Sequence, residues 1–201
     1  AALGGARFAR ALRRVLRALR PDLVHSNALK THAFAPVCPA PVLWHLRDYL
    51  GQRRLARRLL APLASSASAG IAISRSLAAD AAGVLPELPL HVVYNAVDTA
   101  HFQPQGPRAE LPGSEGVVAV GIVATYGRWK GQDVFLEALA RLPAELPAWR
   151  AYVIGGPIYR TAGSQWSRKE LSERARRLGL SGALEFLPFQ SDPAPAYRAL
   201  D

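Results

Sequence analysis

The sequence predicts an α/β fold of two parallel-sheet halves, and three observations carry that reading. Short apolar runs of strand type alternate with stretches of helical period along most of the 201 residues. The alternation stops once, from Thr99 to Gly116, where three prolines and three glycines fall without an apolar period. It then restarts and continues to the carboxyl end. Alternation of this kind builds parallel βαβ units, so two Rossmann-like domains facing a cleft are expected. Their expected bounds are 1–102 and 103–201, with a linker over about 99–116.

Each element has its own signal. Phe8, Leu12, Val15, Leu16 and Leu19 recur at helical spacing, arginines fill the other side, and Pro21 ends the helix. Asp22–Ser26 reads as a short strand. Val42–Leu46 is the next strand, Gln52–Leu63 a basic helix, Gly70–Ser74 a strand, Arg75–Gly83 a helix and His91–Asn95 a strand. After the break, Val117–Thr125 is apolar enough for a central strand. Asp133–Leu142 follows as a helix, and Ala151–Ile154 as a strand that runs into Gly155-Gly156-Pro157. Ser167 with Glu170 three residues on predicts a capping box, opening a helix to Leu178. Leu184–Leu187 is a strand, and Pro193–Leu200 begins a last helix. The chain enters and leaves on helices, so both sheets are expected to be incomplete and the sequence to be a fragment of a longer protein.

Composition narrows the function. The net charge is +10, with 13 basic and 5 acidic residues in 1–100 against 12 and 10 in 101–201. A basic first half points to anionic partners such as phosphates or acidic lipids. Only three of the 25 cations are lysines, so part of the arginine excess reads as codon habit rather than function. One cysteine, Cys38, excludes a disulfide framework, and no cluster has metal-ligand spacing, so neither a metal centre nor a resident cofactor is expected. The amino-terminal apolar stretch is broken by Arg7, Arg10, Arg13 and Arg14, unlike a signal peptide, and no run is long enough to span a membrane. A cytoplasmic protein is expected; the basic amphipathic stretch Gln52–Leu60 reads first as a helix flanking the sheet with an arginine-rich solvent face, and second as a peripheral contact at the inner membrane face.

Candidate chemistry falls at strand ends, where open α/β sheets bind ligands. Gly121–Gly131 runs from a strand through Gly127, Arg128 and Lys130 into a helix start, which suits an anion such as a phosphate. Gly155 and Gly156 would let a backbone approach a ligand closely. The spacing is not that of the dinucleotide fingerprint, which disfavours oxidoreduction. His45, with Arg47 and Asp48, ends the strand 42–46 and supplies a side chain that titrates near neutrality. His25, Asn27 and Lys30 form a similar polar group after the first strand. No nucleophile elbow or Walker-type phosphate loop is present.

Several segments together make a specific pattern. Pro21–Asn27, Trp44–Asp48, Ile71–Ser74, Val93–Asp98 with Phe102, Gly121–Gly131, Val153–Pro157, and Arg177–Leu180 followed by Leu184–Leu187 occur in an order that resembles the family-four retaining glycosyltransferases of the GT-B fold. The resemblance implies a nucleotide-sugar donor, an acceptor hydroxyl and transfer with retention, without a metal. It gives Lys130 the donor diphosphate, with Gly131 at the helix start, and His45 the donor sugar as the catalytic-side residue. It puts Gly155 and Gly156 beside the nucleotide. The family's partner arginine stands where this chain has Ala124-Thr125, and Arg128 is the replacement the sequence offers. Asn27, Lys30, Arg47 and Asp48 fall on the acceptor side, and a sugar or lipid-linked acceptor fits the basic first half. The family's two glutamates would follow Asp201. Two other readings compete: a non-catalytic basic domain for anionic membrane or nucleic acid, and a sugar-nucleotide epimerase on the same fold. Nucleic acid is not expected as a partner, since no recognition module or interleaved aromatic pattern accompanies the charge.

Overall fold

The computed structural model describes residues 2–158 and 163–201. The chain divides into two compact units, Ala1–Ala96 and Val97–Asp201.

The first unit holds a four-stranded sheet of β1 (Val24–Ser26), β2 (Val42–Leu46), β3 (Ala69–Ala72) and β4 (Leu90–Val92). All neighbours are parallel, in the order β1-β2-β3-β4. The side-chain period of two sends Val42, Trp44, Leu46 and Ala72 to one face. There they pack on Leu60, Ala64, Leu77 and Ala81 from the crossovers. The alternate residues Leu43, His45 and Ile71 lie on the other face and are half-buried. α1 (Ala2–Leu19) forms as expected, and it docks on the 3₁₀ turn Ala35–Val37. Of its apolar stripe only Leu16 is buried; Phe8 meets Phe34 edge-on, and Val15 and Leu19 stay exposed. Its end uses a left-handed Arg20, φ 49°, directly before Pro21.

Three local expectations change. A short helix, α2 (Leu29–His32), follows β1, where four residues are too few to show a period. The basic helix is shorter than 52–63: α3 spans Arg54–Leu60 and gives way to a 3₁₀ turn Ala61–Ser66, because Pro62 has no N–H to donate to the α ladder. β4 stops at Val92, with one further hydrogen bond from Val93 N to Ala72 O. α4 (Arg75–Ala82) is capped by Ser74, whose hydroxyl accepts from Leu77 N.

The second unit has a parallel sheet of β5 (Val118–Val123), β6 (Trp149–Ile154) and β7 (Leu184–Leu187), in that order. β6 is buried on both faces. Ala151 and Val153 meet Leu136, Leu171 and Ala175 of the helices α5 (Gln132–Leu139) and α6 (Arg168–Arg177). Tyr152 and Ile154 meet Leu111, Ala119 and Ala196, the last from α7 (Ala194–Ala199). The stretch 99–116 runs along this unit. Arg198 donates to the carbonyls of His101, Gln103 and Pro107, Ala109 N donates to Pro195 O, and Leu111 is buried in the core.

Candidate functional site

At the carboxyl ends of β1 and β2 the first unit presents three histidines. His25 pairs in register with Leu43, which puts His45, two residues on, diagonally across the same face. His25 Nε2 and His45 Nδ1 are 3.2 Å apart. The ring planes are 16° from parallel with centroids 5.2 Å apart. The centroids lie farther apart than the nitrogens, so the rings meet edge to edge, as a hydrogen bond requires, rather than face to face. Burial first, then the like charges of His25 and Arg47, hold His45 below the ordinary histidine pKa.

His32 lies behind, fully buried and stacked on Trp44 at 5.0 Å. Its hydrogen bonds fix its tautomer. Thr31 Oγ1 donates to Ala28 O at 2.8 Å, so it must accept from Ser26 Oγ at 2.9 Å. Ser26 has then spent its proton, and it accepts from His32 Nδ1 at 2.7 Å. Nε2 of His32 is left as a bare lone pair, buried and without a partner. Burial lowers the pKa of His32 to about 4, against the His45 backbone, which favours the protonated ring.

The other residues singled out on this unit spread along its rim. Asn27, Lys30 and Arg47 are exposed. Asp48 is paired with Arg53 at 2.5 Å. A groove of about 780 Å³ runs between α2 and α3, lined by Leu29, Lys30, Asp48, Arg54 and Leu59 among others. Asp80, on α4, accepts from Leu50 N at 2.6 Å and Gly51 N at 3.1 Å, which fixes the loop that carries Arg47 and Asp48.

The second unit's candidate site is made largely of backbone. Gly155 has φ +151°, and a Cβ there would lie 1.9 Å from Ala124 O. Only glycine fits, because the end of β6 presses on the loop leaving β5. Tyr126 N donates to Gly156 O, Trp166 N to Tyr126 O, and Arg128 N to Ser164 O. These bonds zip 126–128 onto 164–166. Gly131, φ +80°, turns the chain into α5. Gln132, fully buried, donates from Nε2 to Thr125 O at 2.7 Å. A cavity of about 290 Å³ opens where β5, β6 and β7 end, lined by Thr125, Gly155, Phe189, Gln190 and Tyr197 among others. Thr125 Oγ1, buried and unpartnered, lies on its wall.

The two cations of the loop part company. The Arg128 guanidinium sits 3.7 Å over the Trp166 ring and donates to Glu170 Oε1 at 3.0 Å. Glu170 Oε2 meanwhile closes the expected capping box with Ser167. The Ser167 backbone N–H and hydroxyl, then Arg128, hold Glu170 below its ordinary pKa. Lys130 is exposed, and no ion pair engages it among the described residues.

Sequence reasoning missed His32, Thr125 and Gln132. His32 itself lies on a helix too short to read, with its partners on β1 and β2, and Gln132 reaches Thr125 across a turn with no repeating pattern. Among the described residues no group of three or more His, Cys, Asp or Glu could hold a metal ion, and no helix is long and apolar enough to cross a membrane.

Comparison with known proteins covers nearly the whole chain. Residues 2–101 match the family described as Glycosyltransferase Family 4, and residues 108–201 match Glycosyl transferases group 1. Among solved structures, Alr3699/HepE of Anabaena in complex with UDP and glucose superposes with a TM-score of 0.76 at 25% identity, over 100% of this chain and 56% of its own. A glycosyltransferase from Rickettsia africae superposes at 0.65 and 15% identity, over 96% and 53%. The lipopolysaccharide outer core galactosyltransferase WaaB superposes at 0.61 and 17% identity, over 94% and 49%. The last two share the fold. The chain spans about half the length of these structures. No curated protein matches it.

Proposed function

The chain belongs to the family-four glycosyltransferases of the GT-B fold, and from that premise we propose that its protein moves a sugar from a nucleotide-sugar donor to an acceptor hydroxyl, with retention and without a metal. The observation that carries this reading is the strand-end cavity of the second unit. Its wall includes Gly155, where only glycine fits, and the buried hydroxyl of Thr125; in the sequence the loop that leaves it runs on through the exposed cation Lys130 to the start of α5.

The leaving group is a nucleoside diphosphate, and charge builds on its bridging oxygen as the glycosidic bond breaks. Lys130 and the first amides of α5 after Gly131 suit that charge. Gly155 and Gly156 let the nucleotide lie against the backbone, and the Thr125 hydroxyl offers it a hydrogen bond. Arg128 serves by closing the loop onto Trp166 and Glu170. In the first unit His45 takes the donor sugar, and Asn27, Lys30, Arg47 and Asp48 belong to the acceptor side. On this reading the acceptor oxygen attacks the anomeric carbon on the face the diphosphate leaves. The C–O bond to phosphate breaks, the new C–O bond forms, and the hydroxyl proton passes to the departing phosphate. Retention follows. The groove between α2 and α3, with Leu55 and Leu59 exposed among Arg54, Arg57 and Arg58, suits a lipid-linked acceptor at an anionic membrane surface.

The test is a donor screen on the complete protein, beginning with UDP-glucose because the Anabaena relative was solved with UDP and glucose. Sugar transfer with retained anomeric configuration is expected. Lys130→Ala should lower kcat/KM by about 100-fold, the scale of losing one transition-state donor, with the fold intact. Epimerised donor without transfer, or binding of anionic vesicles that ignores nucleotide sugars, would sink the reading.

A further inference from the structure

We propose that His25 is the positioning residue for His45: it engages Nδ1 of His45 and so decides which ring nitrogen the donor sugar meets. This rests on the transferase reading for its functional meaning, but the pairing itself stands on geometry. His25 sits one strand over, on the same face, with its Nε2 at 3.2 Å from His45 Nδ1 and the rings edge to edge. The parallel register, not a flexible loop, sets that distance.

An N···N hydrogen bond between imidazoles holds one proton, with one ring donating and the other accepting. With both rings fully protonated, two N–H groups would face each other and the bond would be lost. The intact pair therefore carries at most one positive charge. While Nδ1 of His45 is engaged, the ring cannot turn over without losing the bond, so Nε2 is the atom left to face a ligand. His25 thereby fixes the orientation of a ring that burial holds below the ordinary histidine pKa, and the direction of the shared proton sets its tautomer. The charged and titratable groups around the pair are Arg47 from the loop after β2 and His32 from α2. β3 presents the apolar Ile71 opposite His45. His91 on β4 lies beyond it, in register with Ile71.

The experiment is long-range ¹H–¹⁵N NMR of the histidine rings in this chain, followed from pH 8 to pH 4, in the wild type, His25→Phe and His25→Gln. The wild type should show His45 in a single tautomer with Nδ1 hydrogen-bonded. His25→Phe, which keeps a ring but no nitrogen, should give His45 mixed tautomers. His25→Gln, whose amide reaches about as far as Nε2 and can donate or accept, should re-engage Nδ1 and raise the His45 midpoint by removing a like charge. In the complete protein His25→Phe should lower kcat about 10-fold, at little change in donor KM, and shift the acid limb of the pH–rate profile, with His25→Gln recovering most of it. A His45 Nδ1 free of a hydrogen bond in the wild type, or an unchanged His45 tautomer in His25→Phe, overturns the pair. A hydrogen-bonded pair with kcat and pH profile unmoved overturns the positioning role. A fully active His45→Gln instead overturns the assignment of His45 to the donor sugar, and the NMR result tells these failures apart.

Discussion

At the end of β2 the candidate residues are imidazoles, whereas at the end of β6 they are glycines. In the first unit His25 meets His45 and His32 meets Ser26 through side chains, each histidine carried on a strand or short helix. In the second unit Gly155, Gly131 and the amides of 126–128 do the shaping, and no titratable side chain lines the cavity wall beyond Tyr197 among the described residues. Two strand ends with the same parallel topology are thus built from different materials. One places groups that gain or lose a charge. The other places a backbone that tolerates no added atom, and leaves the charge to Lys130.

That contrast breaks most sharply at Gly155. Gly155→Ala combines a φ closed to L side chains with a Cβ inside contact distance of Ala124 O. It should destabilise the second unit by about 3 kcal/mol or more, read as a lowered unfolding midpoint for that unit while the first unit's transition stays put. A loss below about 0.5 kcal/mol would mean the close approach of β5 and β6 is soft.

Acid should separate the units next. The folded pKa of His32, about 4, lies below its ordinary 6.5, so the unfolded chain binds the proton more readily. Stability in the first unit is therefore full above about pH 6.5 and is lost as pH falls toward 4, by about 3 kcal/mol. In the second unit Glu170 and Asp192 are lowered from 4.5 and 3.8, so their contribution is present above those values and is lost only as pH falls through the lowered ones. Denaturant melts from pH 8 to 4 should show the first unit weakening alone, and His32→Phe should flatten its slope above pH 4. A wild-type first unit as stable at pH 4.5 as at pH 7 would refute the assignment.

The smallest effect sharpens the second unit's side of the contrast. Ser167→Ala removes the capping box of α6 and one partner of Glu170, and should cost about 1 kcal/mol by the same melts. A cost exceeding that of Gly155→Ala would make this unit depend on side chains after all.

Much of this architecture is legible in the amino-acid sequence. Six of the seven strands among the described residues follow from apolar runs close to their observed limits, and the Ser167–Glu170 box is visible because its spacing is local. His45, Lys130 and Gly155 stand out because each ends a strand or opens a helix. Contact at long range is what a linear pattern hides. Arg128 stands in sequence as a phosphate ligand, yet its partner Glu170 is 42 residues away. His32 carries no signal in the sequence; only the fold brings Ser26 and Trp44 against it. Pro62 is plain in the sequence, but the helical period runs through it to Leu63; the missing N–H moves the α-helical end back to Leu60.

The stack of His32 on Trp44 also makes the first unit optically self-reporting. Trp44 is its sole tryptophan; Trp129, Trp149 and Trp166 all belong to the second. An imidazolium against an indole face withdraws excited-state electron density and dims emission, which a neutral imidazole does not. Replacing the other three indoles with phenylalanine would leave a single lamp, buried 5.0 Å from the one group whose proton uptake unsettles the sheet around it.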